Sequence, residues 1–415
     1  MRRSLATILI ASCVLLTNLS PASSAVKPGD ACKKSGLTST SNGFKYTCVK
    51  SGKKLVWSKG VKLPAPKPIV SPSATATPTP SATATPTPSA TATPTPSATA
   101  TQAAVTPLSL DNLEYKQVYL ASRAEVSKYV ANGFTNDGAI NFQVGENVEP
   151  WRVEIAKKEI NSAVKLWSSF FKPTSMTIIW YSSKDIDWAK AKYEAAGGNP
   201  AWASGFSGCS AQYCGNASAS LMGGTKFLFE QGLEFKDQGL WNRSTAAHEY
   251  SHLAQFGLSA PTNLGALPWW SVEGGAQFYG EAIGYDYFDS LRVTRSGMHS
   301  QYAADSQTYI STLFPGQSLK SVLQKNNPDA TKILMKSIEA TTNSPGALGL
   351  SYLLGSYATE VLVSVYGHEK MANFYSSFAM SADYQSNFTK VFGISLDTFY
   401  LKLTPYLLSM SAELK

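Results

Sequence analysis

Residues 241–281, WNRSTAAHEYSHLAQFGLSAPTNLGALPWWSVEGGAQFYGE, decide how the rest of the chain is read. The first part suits a helix. Ser244 or Thr245 can cap its start, Ala246 and Ala247 are strong helix formers, and Gly257 fits the stop position. On that helix His248 and His252 stand at i and i+4, so their imidazoles share one face a turn apart and can hold one metal ion. Glu249, the next residue along, turns its carboxylate away from the metal bonds and toward a water beside the ion. The chain has only 4 histidines, and two of them fall here. Downstream, Glu273 lies among Trp269, Trp270, Val272 and Phe278, a setting that favours burial. Two histidines and a glutamate form an established three-ligand set that leaves a fourth position open.

His248-Glu249-Tyr250-Ser251-His252 fits H-E-x-x-H, and Trp270–Ala276 reads W-x-x-E-G-x-A about twenty residues later. The pair of motifs resembles the gluzincins, zinc metallopeptidases of the thermolysin and aminopeptidase N group. The metzincin pattern would need glycine at 255 and histidine at 258, where this chain has Gln255 and Leu258. The resemblance, to a peptidase MA-like domain, covers roughly residues 240–410 and implies an α+β fold. That fold has a short N-terminal sheet lobe and a mainly helical C-terminal lobe. It also implies that Glu273 sits on a second helix packed across the first, with Gly274 and Gly275 allowing the close approach. Zn²⁺ would then be held by His248, His252 and Glu273, with Glu249 as the proton acceptor. Ser351-Tyr352-Leu353-Leu354-Gly355 is similar to the Y-x-x-G helix of the aminopeptidase N branch, which makes Tyr352 the expected oxyanion donor and Tyr357 a reserve. Leu221-Met222-Gly223-Gly224-Thr225 lacks the G-x-M-E-N glutamate that grips a free amine in those aminopeptidases, which favours an endopeptidase. The resemblance leaves the role of Glu281 open. His299 and His368 lie outside any ligand spacing and are expected to be structural.

The front of the chain carries its own signals. Arg2 and Arg3 precede an apolar run from Leu5 to Leu16, and Ala22-Ser23-Ser24-Ala25 offers small residues for cleavage, so residues 1–25 read as a secretory signal peptide. Ile10-Ala11-Ser12-Cys13 also resembles a bacterial lipobox, with too short an apolar segment ahead of Cys13 to favour lipidation. No later apolar run approaches the roughly eighteen residues of a membrane span. The other cysteines are Cys32, Cys48, Cys209 and Cys214. Three pairings are open; the local one, 32–48 with 209–214, is favoured because each pair lies within one module, and the absence of a C-x-x-C spacing speaks against a second metal site. Residues 26–62 read as a small basic module of short strands around Gly43–Cys48 and Lys54–Trp57, too small to hold without its disulfide. It resembles short Cys-containing modules at the front of secreted actinobacterial proteins.

Charge separates along the chain. Residues 1–105 carry 12 Lys/Arg against the single acid Asp30, whereas residues 106–415 carry 24 against 27. Basicity therefore belongs to the front, which could dwell on an anionic cell-wall polymer; the plain alternative is solubilising charge. An exported chain without a recognition motif gives no reason to expect nucleic acid. SATATPTP starts at Ser73, Ser81 and Ser89, so residues 63–106 read as a disordered linker open to O-glycosylation, reaching on the order of 100 Å when extended.

The remaining residues 107–415 are enough for a two-lobed domain with a cleft. Trp151–Phe171 has helical apolar spacing, while Met176–Tyr181 and Lys226–Glu230 read as strands. In the family the edge strand above the metal helix binds extended peptide by strand addition. The expected protein is thus a secreted or cell-wall-associated zinc metallopeptidase acting on peptide or protein substrates. The alternative is a surface-binding protein on an inert peptidase-like fold.

Overall fold

A computed structural model describes residues 28–32, 35, 38–41, 44–52, 54–62, 107–135, 139–200, 206, 217–221, 226–233, 243–259, 264–285, 288–340 and 345–414. The expected signal peptide, Cys13, the linker, Cys209, Cys214 and Met222–Thr225 lie outside the described residues. The chain divides into two compact units, the smaller within residues 14–104 and the larger within residues 105–415.

The smaller unit is antiparallel. β1 (Thr38–Ser41) and β3 (Lys54–Trp57) flank β2 (Phe44–Ser51), and β4 (Val61–Lys62) also pairs with β2. The hairpin between β2 and β3 pairs Ser51 with Lys54, and Gly52 takes φ +61°, the left-handed conformation that tight hairpin turns demand. Cys32 and Cys48 form a disulfide with Cα atoms 5.9 Å apart. The N–H of Cys32 donates to the Leu55 carbonyl at 3.1 Å, which lays the leading segment along β3.

The larger unit mixes helix and strand, with helix dominant. In chain order it runs α1 (Tyr115–Asn132), β5 (Ile140–Val144), α2 (Pro150–Trp167), β6 (Ser175–Tyr181), α3 (Ile186–Ala195), β7 (Ala217–Leu221), β8 (Lys226–Gly232), α4 (Thr245–Ser259), α5 (Trp269–Gly284) and α6 (Phe288–Asp305). It continues α7 (Gln307–Leu313), α8 (Leu319–Gln324), α9 (Pro328–Ser337), α10 (Pro345–Tyr366), α11 (His368–Ser377), α12 (Tyr384–Phe392), α13 (Leu396–Lys402) and α14 (Thr404–Met410). The sheet order is β5-β6-β8-β7, parallel except for β7. Alternation along β6 and β8 supplies two cores. Met176, Ile178, Trp180, Phe227 and Phe229 face the helices, while Ile179, Tyr181 and Leu228 join Ala189 and Tyr193 of α3. Both faces are covered, which is why Met-Thr-Ile-Ile-Trp-Tyr reads as a continuous apolar run.

One strand goes unread in the sequence, and two expectations change. The strand at the sheet edge beside α4 is β7, Ala-Ser-Ala-Ser-Leu, while the expected strand Lys226–Glu230 lies inside the sheet. Small residues with weak strand preference hide such an element. Gly257 does not stop α4, which runs on to Ser259. A Cβ there would meet the Phe171 ring at 2.3 Å, so the glycine makes room for packing. Gly346–Tyr366 of α10 is long and apolar enough to cross a membrane, contrary to the reading that no later run is. Most of it is buried among the other helices.

α10 packs on α5 with backbone against backbone. A Cβ on Gly274 would fall 2.2 Å from the carbonyl carbon of Gly355, and one on Gly355 would fall 2.2 Å from the Trp270 carbonyl oxygen. Gly274 thus serves the α5–α10 contact, whereas the approach of α5 to α4 runs through Gly280, 2.6 Å on the same measure from the Ser244 carbonyl oxygen. Backbone atoms cannot rotate aside, so Gly274→Ala must push the helices apart, at a cost of about 1–3 kcal/mol or more. Urea unfolding of the variant, with metal chelated in both samples, should show a lower midpoint; an unchanged midpoint would mean that this contact does not exist.

Candidate metal centre

Two crossing helices build the site. α4 is buried on almost every side from Ala246 to Gln255, and α5 from Trp270 to Glu281, so each has the all-round burial of a core helix. The backbone N–H of His248 donates to the Ser244 carbonyl, which starts α4 one turn ahead of the first imidazole. The structure brings His248, His252 and Glu273 together. The two Nε2 atoms are 3.0 Å apart, and Glu273 Oε2 lies 3.6 Å from His248 Nε2 and 3.4 Å from His252 Nε2. A tetrahedral ion with bonds of about 2.0–2.1 Å separates its donors by about 3.3 Å, and the three distances straddle that value. Glu273 Oε2 is buried without a hydrogen-bond partner, an atom that a cation would satisfy. The buried group can therefore bind a metal ion; among the described residues no other trio of His, Cys, Asp or Glu converges this way.

The electrostatics fit the same conclusion. Burial alone would raise Glu273, but the two imidazoles hold its carboxyl well below the usual carboxylate range. Burial lowers His248, with the charge of His252 adding to it. For His252 burial acts in the same sense, yet the facing Glu273 outweighs it and lifts the imidazole to about 9. Positive charge belongs at this point of the fold.

Glu249 stays outside the ligand group, as its position in the turn requires. Burial pushes its carboxyl up to about 8, with the negative charges of Glu273 and Glu230 adding to the effect and His252 opposing it. Tyr352 of α10 does reach the site. Its ring is 5.7 Å from that of His248, and its hydroxyl interacts with the Glu273 carboxyl. Burial and that carboxylate keep the phenol protonated and able to donate. Tyr302 of α6 stacks on it at 5.2 Å and 12° and fixes the ring. Tyr357, the reserve, turns elsewhere: its hydroxyl meets His299 Nδ1 at 2.7 Å.

Glu281, whose role the sequence leaves open, joins a buried charge network two turns below Glu273. It lies 2.9 Å from His299 Nε2, accepts from Gln277 Nε2 at 2.9 Å, and faces Arg295 Nε at 3.4 Å. Arg295 in turn bonds both oxygens of Glu360 at 3.2 and 2.6 Å. Arg123 of α1, 3.7 Å from Glu360 Oε1, supplies the second cation, so two guanidiniums face two carboxylates, and the network fastens α5 to α6 and α10. His368 is buried with Nδ1 2.8 Å from the Tyr279 hydroxyl and Nε2 3.2 Å from the Leu166 carbonyl oxygen, far from any ligand role.

Sequence reasoning missed Gln255, whose Oε1 lies 2.9 Å from His252 Nδ1, and Phe256, whose ring stacks on His252 at 5.7 Å and 12°. A polar residue at i+3 from a ligand, on a helix otherwise apolar, was the available signal for Gln255. Compared with known proteins, the chain matches no family model, no curated protein and no solved structure.

Proposed function

We propose that this protein is a zinc-dependent peptidase of the gluzincin kind, exported and acting on extended peptide or protein substrates as an endopeptidase. The observation that carries the reading is the convergence of His248 Nε2, His252 Nε2 and Glu273 Oε2 at tetrahedral donor spacing, with a carboxylate and a phenol beside them. An imidazole–imidazole–carboxylate set suits zinc, which in such a site supplies Lewis acidity that polarises a carbonyl and acidifies water. Glu249 takes the proton of the attacking water on its carboxylate and passes it to the leaving amine. Tyr352 donates its hydroxyl to the carbonyl oxygen as negative charge builds there. Support for the family assignment comes from α5 crossing α4 and from an antiparallel edge strand, β7, lying against α4. In this reading the basic front module holds the enzyme at an anionic cell-wall polymer.

Metal analysis of the purified chain, with a peptide-library digest run with and without chelator, tests the proposal. The expected result is one zinc per chain and cleavage that chelation abolishes and zinc restores. Zinc without turnover on any peptide would leave the inert binding protein, and absence of metal would remove both the site and the activity.

A further inference from the structure

Gln255 is fully buried and makes hydrogen bonds in two opposite directions. Its Nε2 lies 3.2 Å from the Ser271 carbonyl oxygen, 3.0 Å from that of Val272 and 3.2 Å from the Tyr375 hydroxyl. Backbone carbonyls only accept, so the NH₂ must face α5 and the amide oxygen must face His252. That oxygen can only accept as well. His252 Nδ1 therefore carries a hydrogen, and once the ring is neutral it is Nε2 whose lone pair faces the point where His248 Nε2 and Glu273 Oε2 meet. Ser271 and Val272 are the two residues just before Glu273. One amide thus sets the tautomer of the second ligand and ties it to the turn that presents the third.

A separate observation points the same way. The Tyr375 hydroxyl donates to the Ser271 carbonyl at 2.9 Å and accepts from Gln255, which completes the cluster. A Cβ on residue 275 would sit 2.3 Å from the Tyr375 oxygen and 3.0 Å from Gln255 Nε2, so the cluster exists because residue 275 is a glycine. The space under the ligand helices is kept for this amide.

We infer that Gln255 is a positioning residue for the metal centre, holding His252 in the tautomer and orientation that leave Nε2 open to the ion. The inference rests on the metal-site reading and not on peptide hydrolysis. Losing such a partner weakens metal binding by about 10–100-fold. The test measures Co²⁺ affinity of the full chain by chelator competition, together with the visible spectrum of the bound cobalt. Gln255→Met keeps the length and volume of the side chain without its polar atoms, and Tyr375→Phe perturbs the same cluster without touching His252. The expected result is an affinity loss of that size and an altered cobalt spectrum for Gln255→Met. Tyr375→Phe should bind within about twofold of the parent, inside the range below a second-shell loss. Parental affinity and spectrum in Gln255→Met would overturn the inference, and so would an equal loss in Tyr375→Phe, which would make the effect one of packing. A parent that takes up no Co²⁺ defeats the metal site itself, whereas a parent that binds Co²⁺ and cleaves nothing defeats only the peptidase reading.

Discussion

Glu249→Gln should retain the metal ion and lose about 10²–10⁴-fold in peptide hydrolysis, the range expected when a general base is removed. The substitution preserves shape and burial, and Glu249 is not among the three side chains that converge on the ion site. An amide cannot take a proton from water at neutral pH. The native carboxyl is well matched to proton transfer, since burial pushes it toward about 8 while a cation held by its neighbours would draw it down again. Metal content and kcat/KM measured on the same preparation decide the matter. Unchanged kcat/KM would remove Glu249 from the mechanism. Loss of metal together with activity would make it a structural residue of the site.

The second large effect concerns acid stability. His368 opens α11 behind Gly367, its imidazole wedged against Trp167, Tyr279 and Tyr129. Burial drives its pKa from 6.5 down to about 3, with Lys128 adding to the depression and the Leu166 carbonyl opposing it. Glu125 of α1 accepts from the His368 backbone N–H at 3.3 Å, and the positive end of α11 also disfavours an imidazolium. Between these two values the unfolded chain binds a proton that the folded chain refuses. The folded state therefore keeps this contribution above about pH 6.5 and loses it as pH falls toward 3, by about 1.4 kcal/mol per unit and about 5 kcal/mol in all. Urea unfolding of the chelated protein and of His368→Gln, from pH 7 to 4.5, should show the parent losing stability more steeply. Parallel profiles would mean that His368 takes up its proton within the fold.

The part of the site that was legible in the sequence is the part written at short range. His248, Glu249 and His252 lie within five residues, and helical periodicity alone puts the imidazoles on one face. Glu273 follows because its apolar flank marks a buried helix. The general mix of helix and strand could also be read, from Met176–Tyr181 and from Trp151–Phe171. What escaped notice depends on partners distant in the chain. β7 is a strand because β8 pairs with it, not because Ala-Ser-Ala-Ser-Leu prefers to be extended. Gly257 reads as a helix end until Phe171 is found against it. Gln255 looks like any helical polar residue until Ser271, Val272 and Tyr375 surround its amide.

α10 has a consequence for how variation in this chain should be interpreted. Within a few turns it carries Tyr352 at the ion site, Gly355 at the crossing with α5, and Glu360 beneath both. Substitutions about a hundred positions away from the histidines, in a stretch that looks like anonymous apolar filler, should therefore be tolerated as poorly as changes to the ligands. A mutational scan of residues 350–360 ought to trace a stripe of intolerance with helical repeat, its worst positions clustered on the side turned toward α5.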